Sequence, residues 1–123
     1  MSNASDTMAA RIIQQLARQP LGDDKDAALD SAAIGMFTAD MAVRLQDKRD
    51  DGRHGWWNPN VCSVQTLAHM LQGFIQRGEL LDAANLAMFL YCREGGAEAV
   101  RAVMNPPDPL NEALNSGDGS YRP

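Results

Sequence analysis

Val64-Gln-Thr-Leu-Ala-His-Met-Leu-Gln-Gly-Phe-Ile-Gln76, then Arg77-Gly78, then Glu79-Leu-Leu-Asp-Ala-Ala-Asn-Leu-Ala-Met-Phe-Leu-Tyr-Cys-Arg93 is the stretch that decides the fold. In its first part Val64, Leu67, Ala68, Leu71, Phe74 and Ile75 recur at helical spacing, with Gln65, Gln72 and Gln76 on the other side. That period predicts a helix over 64–76. Ser63 is a good N-cap, and Val61 ahead of it is placed to staple onto the first turn. Gly78 stands where a helix C-terminus favours glycine. The second part, 79–93, is apolar almost all round, through Leu80, Leu81, Ala83, Ala84, Leu86, Ala87, Met88, Phe89, Leu90 and Tyr91. A helix of that kind belongs in the middle of a bundle. The short link makes the two helices antiparallel neighbours.

Immediately before this pair lies Asp51-Gly-Arg-His-Gly-Trp-Trp-Asn-Pro-Asn60. Gly52, Gly55 and Pro59 exclude a helix through it. Two adjacent tryptophans in such a loop are there to pack or to bind. Adjacent loop residues tend to point different ways, so Trp56 is expected to be largely buried and Trp57 to be the exposed anchor. Tryptophan is enriched where binding energy concentrates at interfaces.

Toward the N-terminus, residues 8–19 put Ile12, Ile13 and Leu16 on one helical face, with Asp6 as N-cap and Pro20 as a stop. A second apolar-periodic stretch starts near Lys25 and is expected to break at Gly35. A stronger one runs from Met36 to Arg49 and ends in Lys48-Arg49, a basic finish that suits a helix C-terminus. Beyond Gly95-Gly96, a short amphipathic segment is expected over 97–104. Asn105-Pro-Pro-Asp-Pro109 then stops regular structure. With no strand pattern and no repeat, the sequence reads as all-α. Residues 1–104 are expected to form a single small helical bundle around a central antiparallel hairpin, and 105–123 a Pro/Gly-rich flexible tail.

Composition narrows the function classes. The chain has 123 residues, a formal charge of −5 and a 45% hydrophobic fraction, so one domain with a real core is expected. An acidic balance argues against general nucleic-acid binding, which needs a basic face. No apolar run suggests a membrane span or a signal segment. Cys62 and Cys92 have no Cys-x-x-Cys partner, which fits a reducing cytoplasm.

The residues from Gly52 to Arg93 resemble a module of small phage and prophage proteins. Its form is a Gly-Arg-x-Gly-Trp loop, a Cys, a Leu-rich helix, a Lys/Arg-Gly turn and an Asp-Val-Ala-Asn-Phe-Ala-Met-Met-Leu helix. The matching positions are Gly52-Arg53-His54-Gly55-Trp56, Cys62, Leu67, Met70-Leu71, Arg77-Gly78 and Asp82-Ala-Ala-Asn-Leu-Ala-Met-Phe-Leu90. The match spans about a third of the chain and looks like the module of early-region proteins of lambda-like phages. It implies a phage or prophage origin in a bacterial cytoplasm and no established activity. Phage accessory proteins of this size commonly act by binding a host or rival-phage protein. The expected contact residues are therefore Arg53, His54, Trp56 and Trp57. A homodimer is a further expectation, because the apolar surface of the 79–93 helix exceeds what a few short helices cover.

Catalytic constellations are incomplete. All-α nucleotide pyrophosphohydrolases of the MazG type hold Mg²⁺ with a Glu-x-x-Glu and a Glu-x-x-Asp, since carboxylates three apart share a helix face. Glu79-Leu-Leu-Asp82 resembles the second half, but residues 52–78 contain no Asp or Glu. A degenerate or oligomer-completed enzyme of that type, with Glu79 and Asp82 on Mg²⁺, is the alternative reading. The plainer one has both carboxylates stabilising the positive N-terminus of their helix. Asp82 and Asn85 also place polar groups on an apolar helix and call for a hydrogen-bond network, with Arg53, His54 and the indole N–H groups as candidate partners. His54, His69, Cys62 and Cys92 lack metal-ligand spacing, and no Ser lies in a nucleophile elbow. No cofactor is expected.

Overall fold

The computed structural model describes residues 7–106 and is all-helical there. Five helices follow in order: α1 (Met8–Ala17), α2 (Lys25–Asp50), α3 (Val64–Gln76), α4 (Leu80–Tyr91) and α5 (Gly96–Met104). They fall into two compact units, one up to Arg53 and one from His54 onward. The Pro/Gly-rich tail expected from 105 lies, apart from Asn105 and Pro106, outside the described residues.

In the first unit α1 packs against α2. Thr7, and not Asp6, caps α1, its Oγ1 accepting from Ala10 N at 3.0 Å. Asp24 Oδ1 accepts from Ala27 N at 3.2 Å and starts α2. The Lys25 ammonium donates to the Ala17 carbonyl, putting a cation on the negative end of α1. Ala9, Ile12, Ile13 and Leu16 of α1 are half-buried, as are Leu29, Ala32 and Met36 of α2. No described residue of either helix is fully buried.

The expected break at Gly35 does not occur; Lys25–Asp50 is one continuous helix of 26 residues. A glycine inside a helix costs only about 1 kcal/mol relative to alanine, and no proline or capping residue adds to it there. Thr38 Oγ1 donates back to the Ile34 carbonyl at 2.7 Å, satisfying its hydroxyl without leaving the helix. The real stop comes at Gly52, whose φ of +86° an L-residue rarely adopts.

The second unit has a closed core of Leu67, Ala68, Leu71, Ala83, Leu86, Leu90 and Ala99. The antiparallel hairpin of α3 and α4 is present as the period predicts, with Ser63 Oγ accepting from Thr66 N at 3.1 Å. Val61 does not staple: it is 63% exposed, while Cys62 packs against the core instead. Within this unit α3, and not α4, has extensive contact with both neighbours. Gln72 Nε2 donates to the Val103 carbonyl at 3.4 Å and ties α3 to α5. The all-round apolar α4 leaves Leu80 and Tyr91 exposed at 71% and 91%.

The turn from α4 to α5 depends on glycine. A Cβ on Gly96 would stand 1.9 Å from the Leu90 carbonyl oxygen, closer than any real contact. Close approach of the two backbones is possible there because the side chain is absent.

Candidate functional site

The tryptophan loop is built from consecutive hydrogen-bonded turns. Asn58 N donates to the Gly55 carbonyl at 3.0 Å. Val61 N and Cys62 N both donate to the Asn58 carbonyl at 2.9 Å. Asn60 N donates to Asn58 Oδ1 at 2.9 Å, an Asx turn in which Pro59 presets the backbone angle. Gly55 has φ +85°, and Val61 lies over it so closely that a Cβ there would be 2.8 Å from Val61 Cγ1. These bonds give the loop a defined shape although it has no regular structure.

The two tryptophans part company. Trp56 is half-buried and stacks on Phe89 of α4, ring centroids 4.3 Å apart and planes 8° apart. A stacked pair of this kind adds about 0.5–1.5 kcal/mol beyond the area it buries. Its backbone carbonyl accepts from Arg93 Nη1, a charge-assisted bond of the stronger class. Trp57 is 64% exposed. Burying two indoles at one loop would need two apolar slots. Trp56 occupies one, against Phe89.

His54 is exposed at the start of the second unit, and Arg53 is exposed at the end of the first. Arg53 N donates to the Lys48 carbonyl at 3.0 Å, closing the end of α2. The sequence pattern missed Arg93 and Phe89 as supports of the loop. Arg93 lies just past the end of apolar α4 and is half-buried, and a long cation in that position is the signal that something accepts from it.

The polar pair on α4 is buried: Asp82 is 8% exposed and Asn85 3%. Both residues are engaged, although the Oδ1 atom of Asn85 accepts no hydrogen bond. Glu79 differs from Asp82 in setting. It is exposed, takes a bond from Arg77 Nε at 3.2 Å and makes no capping hydrogen bond to α4. Arg77 in turn lies 5.1 Å from the centroid of the Phe74 ring. One carboxylate of the Glu79–Asp82 pair is therefore held in solvent by an arginine and the other is enclosed. Among the described residues, no group of three or more His, Cys, Asp or Glu side chains converges as a metal cage would require. Cys92 and His69 are exposed and Cys62 is half-buried. No helix among the described residues is long and apolar enough to cross a membrane.

No family model, curated protein or solved structure matches the chain.

Proposed function

We propose that this chain is a non-catalytic accessory protein of phage or prophage origin that works by binding another protein. Trp57 is the central contact residue, with His54 of the same unit as a polar contact. One observation carries the reading: a tryptophan 64% exposed on a loop whose backbone is fixed by its own hydrogen bonds. Loop residues held by a scaffold are where proteins commonly place their contacts. A large aromatic held in place reaches a partner with little conformational entropy left to lose. Trp56 serves the same surface indirectly, as the indole that seats the loop on Phe89. The phage origin rests on the resemblance of residues 52–93. The partner would present an apolar pocket to the indole and a hydrogen-bond acceptor to the imidazole.

The test is affinity capture from bacterial lysate with the wild-type chain and with Trp57→Ala, after matching their helical content and thermal midpoints. The reading expects one near-stoichiometric protein with the wild type. Its purified form should bind the variant at least about thirtyfold more weakly, as hot-spot tryptophans do. Equal binding by both proteins would remove Trp57 from the contact surface.

A further inference from the structure

We infer that Arg93 is the positioning residue of the tryptophan loop: it sets the direction of Trp57 and so governs partner affinity without touching the partner. The inference rests on the reading of Trp57 as a contact residue, and deepens it.

Arg93 stands where three pieces of chain meet. Its amide donates to the Leu90 carbonyl at 3.2 Å, in the turn that ends α4. Its carbonyl accepts from Gly96 N at 3.2 Å, at the start of α5. Its guanidinium donates to the Trp56 carbonyl, 37 positions away in sequence. The peptide that begins at this carbonyl continues into Trp57. A bond to that oxygen limits rotation about the peptide plane and hence the direction in which the next side chain leaves the loop. The stack on Phe89 holds the Trp56 ring, and the Asn58 N to Gly55 carbonyl bond closes the turn around the Trp56–Trp57 peptide, but neither ties that peptide's oxygen to the helices. Arg93 supplies the second point of attachment. Its backbone is fixed by the turn between α4 and α5, so the guanidinium reaches the loop from a set point.

Loop and core make different predictions, which allows a test without a partner. The amides of Asn58, Val61 and Cys62 are protected by bonds inside the loop, and those of Leu71 and Leu90 by the core helices. Hydrogen exchange of the full chain, read residue by residue by NMR, is compared for wild type, Arg93→Gln and Arg93→Lys. Removing a charged donor should speed exchange in the loop by about tenfold or more, with Leu71 and Leu90 unchanged. Arg93→Lys, which keeps the charge and a donating nitrogen but not the guanidinium geometry, should fall between. Unchanged loop exchange would overturn the inference. So would loop and core accelerating together, which would make Arg93 a general stabiliser. Should Arg93→Gln fail to fold, the same comparison is made between wild type and Arg93→Lys alone. A failed capture experiment would leave this exchange pattern standing and count against the binding reading alone.

Discussion

The two units are made of the same kind of element and differ in what those elements enclose. The helices of the first bury no described residue, and the long α2 leaves Ile34 and Val43 more than half exposed. The helices of the second close around Leu67, Ala68, Leu86 and Leu90, all 5% exposed or less. Two helices pack one face each. A third helix, packed mainly on α3 and touching α4, is what turns half-buried rows into a core. The stability of the chain is therefore expected to sit in the second unit, and the tryptophan loop is attached to that one through Phe89 and Arg93.

The sharpest way to break this contrast is a matched pair of truncations. Leu67→Ala, at a site 2% exposed, should cost about 2–5 kcal/mol in urea unfolding followed by circular dichroism. Leu29→Ala, on the half-buried row of α2, should cost about 1 kcal/mol or less, since only part of its surface is removed from water. Equal costs would show that the first unit encloses its side chains as tightly as the second.

The same contrast recurs between the two indoles. Trp56→Ala should destabilise the second unit by about 2–3 kcal/mol, less than a fully enclosed aromatic, because it loses the Phe89 stack. Ser63→Ala removes the cap of α3 and should cost about 1 kcal/mol. Trp57→Ala should change stability by no more than about 0.5 kcal/mol, as an exposed substitution away from any packed feature does. A large loss at Trp57 would mean that its indole supports the fold and is not available as a contact.

The part of this architecture that depends on period was legible in the sequence. Val64 to Ile75 repeat at helical spacing, and their helix runs from Val64 to Gln76 with Ser63 as its cap. Parts that depend on competition between local and distant effects were less so. Gly35 carries a local penalty but sits in a 26-residue helix rich in alanine, leucine, methionine and basic residues, and cooperativity overrides it. Val61 has the right chemistry for a staple, yet the left-handed turn at Gly55 leaves a gap that its side chain fills. The apolar surround of α4 marks a helix meant for the middle, while within its unit the middle falls to α3. Spacing cannot say which of two adjacent apolar helices a third will cross. At the loop, two tryptophans announce a site, but the support from Arg93 spans 37 positions and leaves no local pattern.

The most direct measurement uses Trp56→Phe, which keeps an aromatic ring on Phe89 and leaves Trp57 as the sole tryptophan. Acrylamide quenching of its fluorescence is recorded alone and with the captured partner at saturation. The account predicts strong quenching in the free protein, as expected of a side chain 64% exposed. On binding, quenching should fall several-fold and the emission shift to the blue, as the indole leaves water. Unchanged quenching at saturation would show that the partner binds elsewhere and that Trp57 is not the anchor.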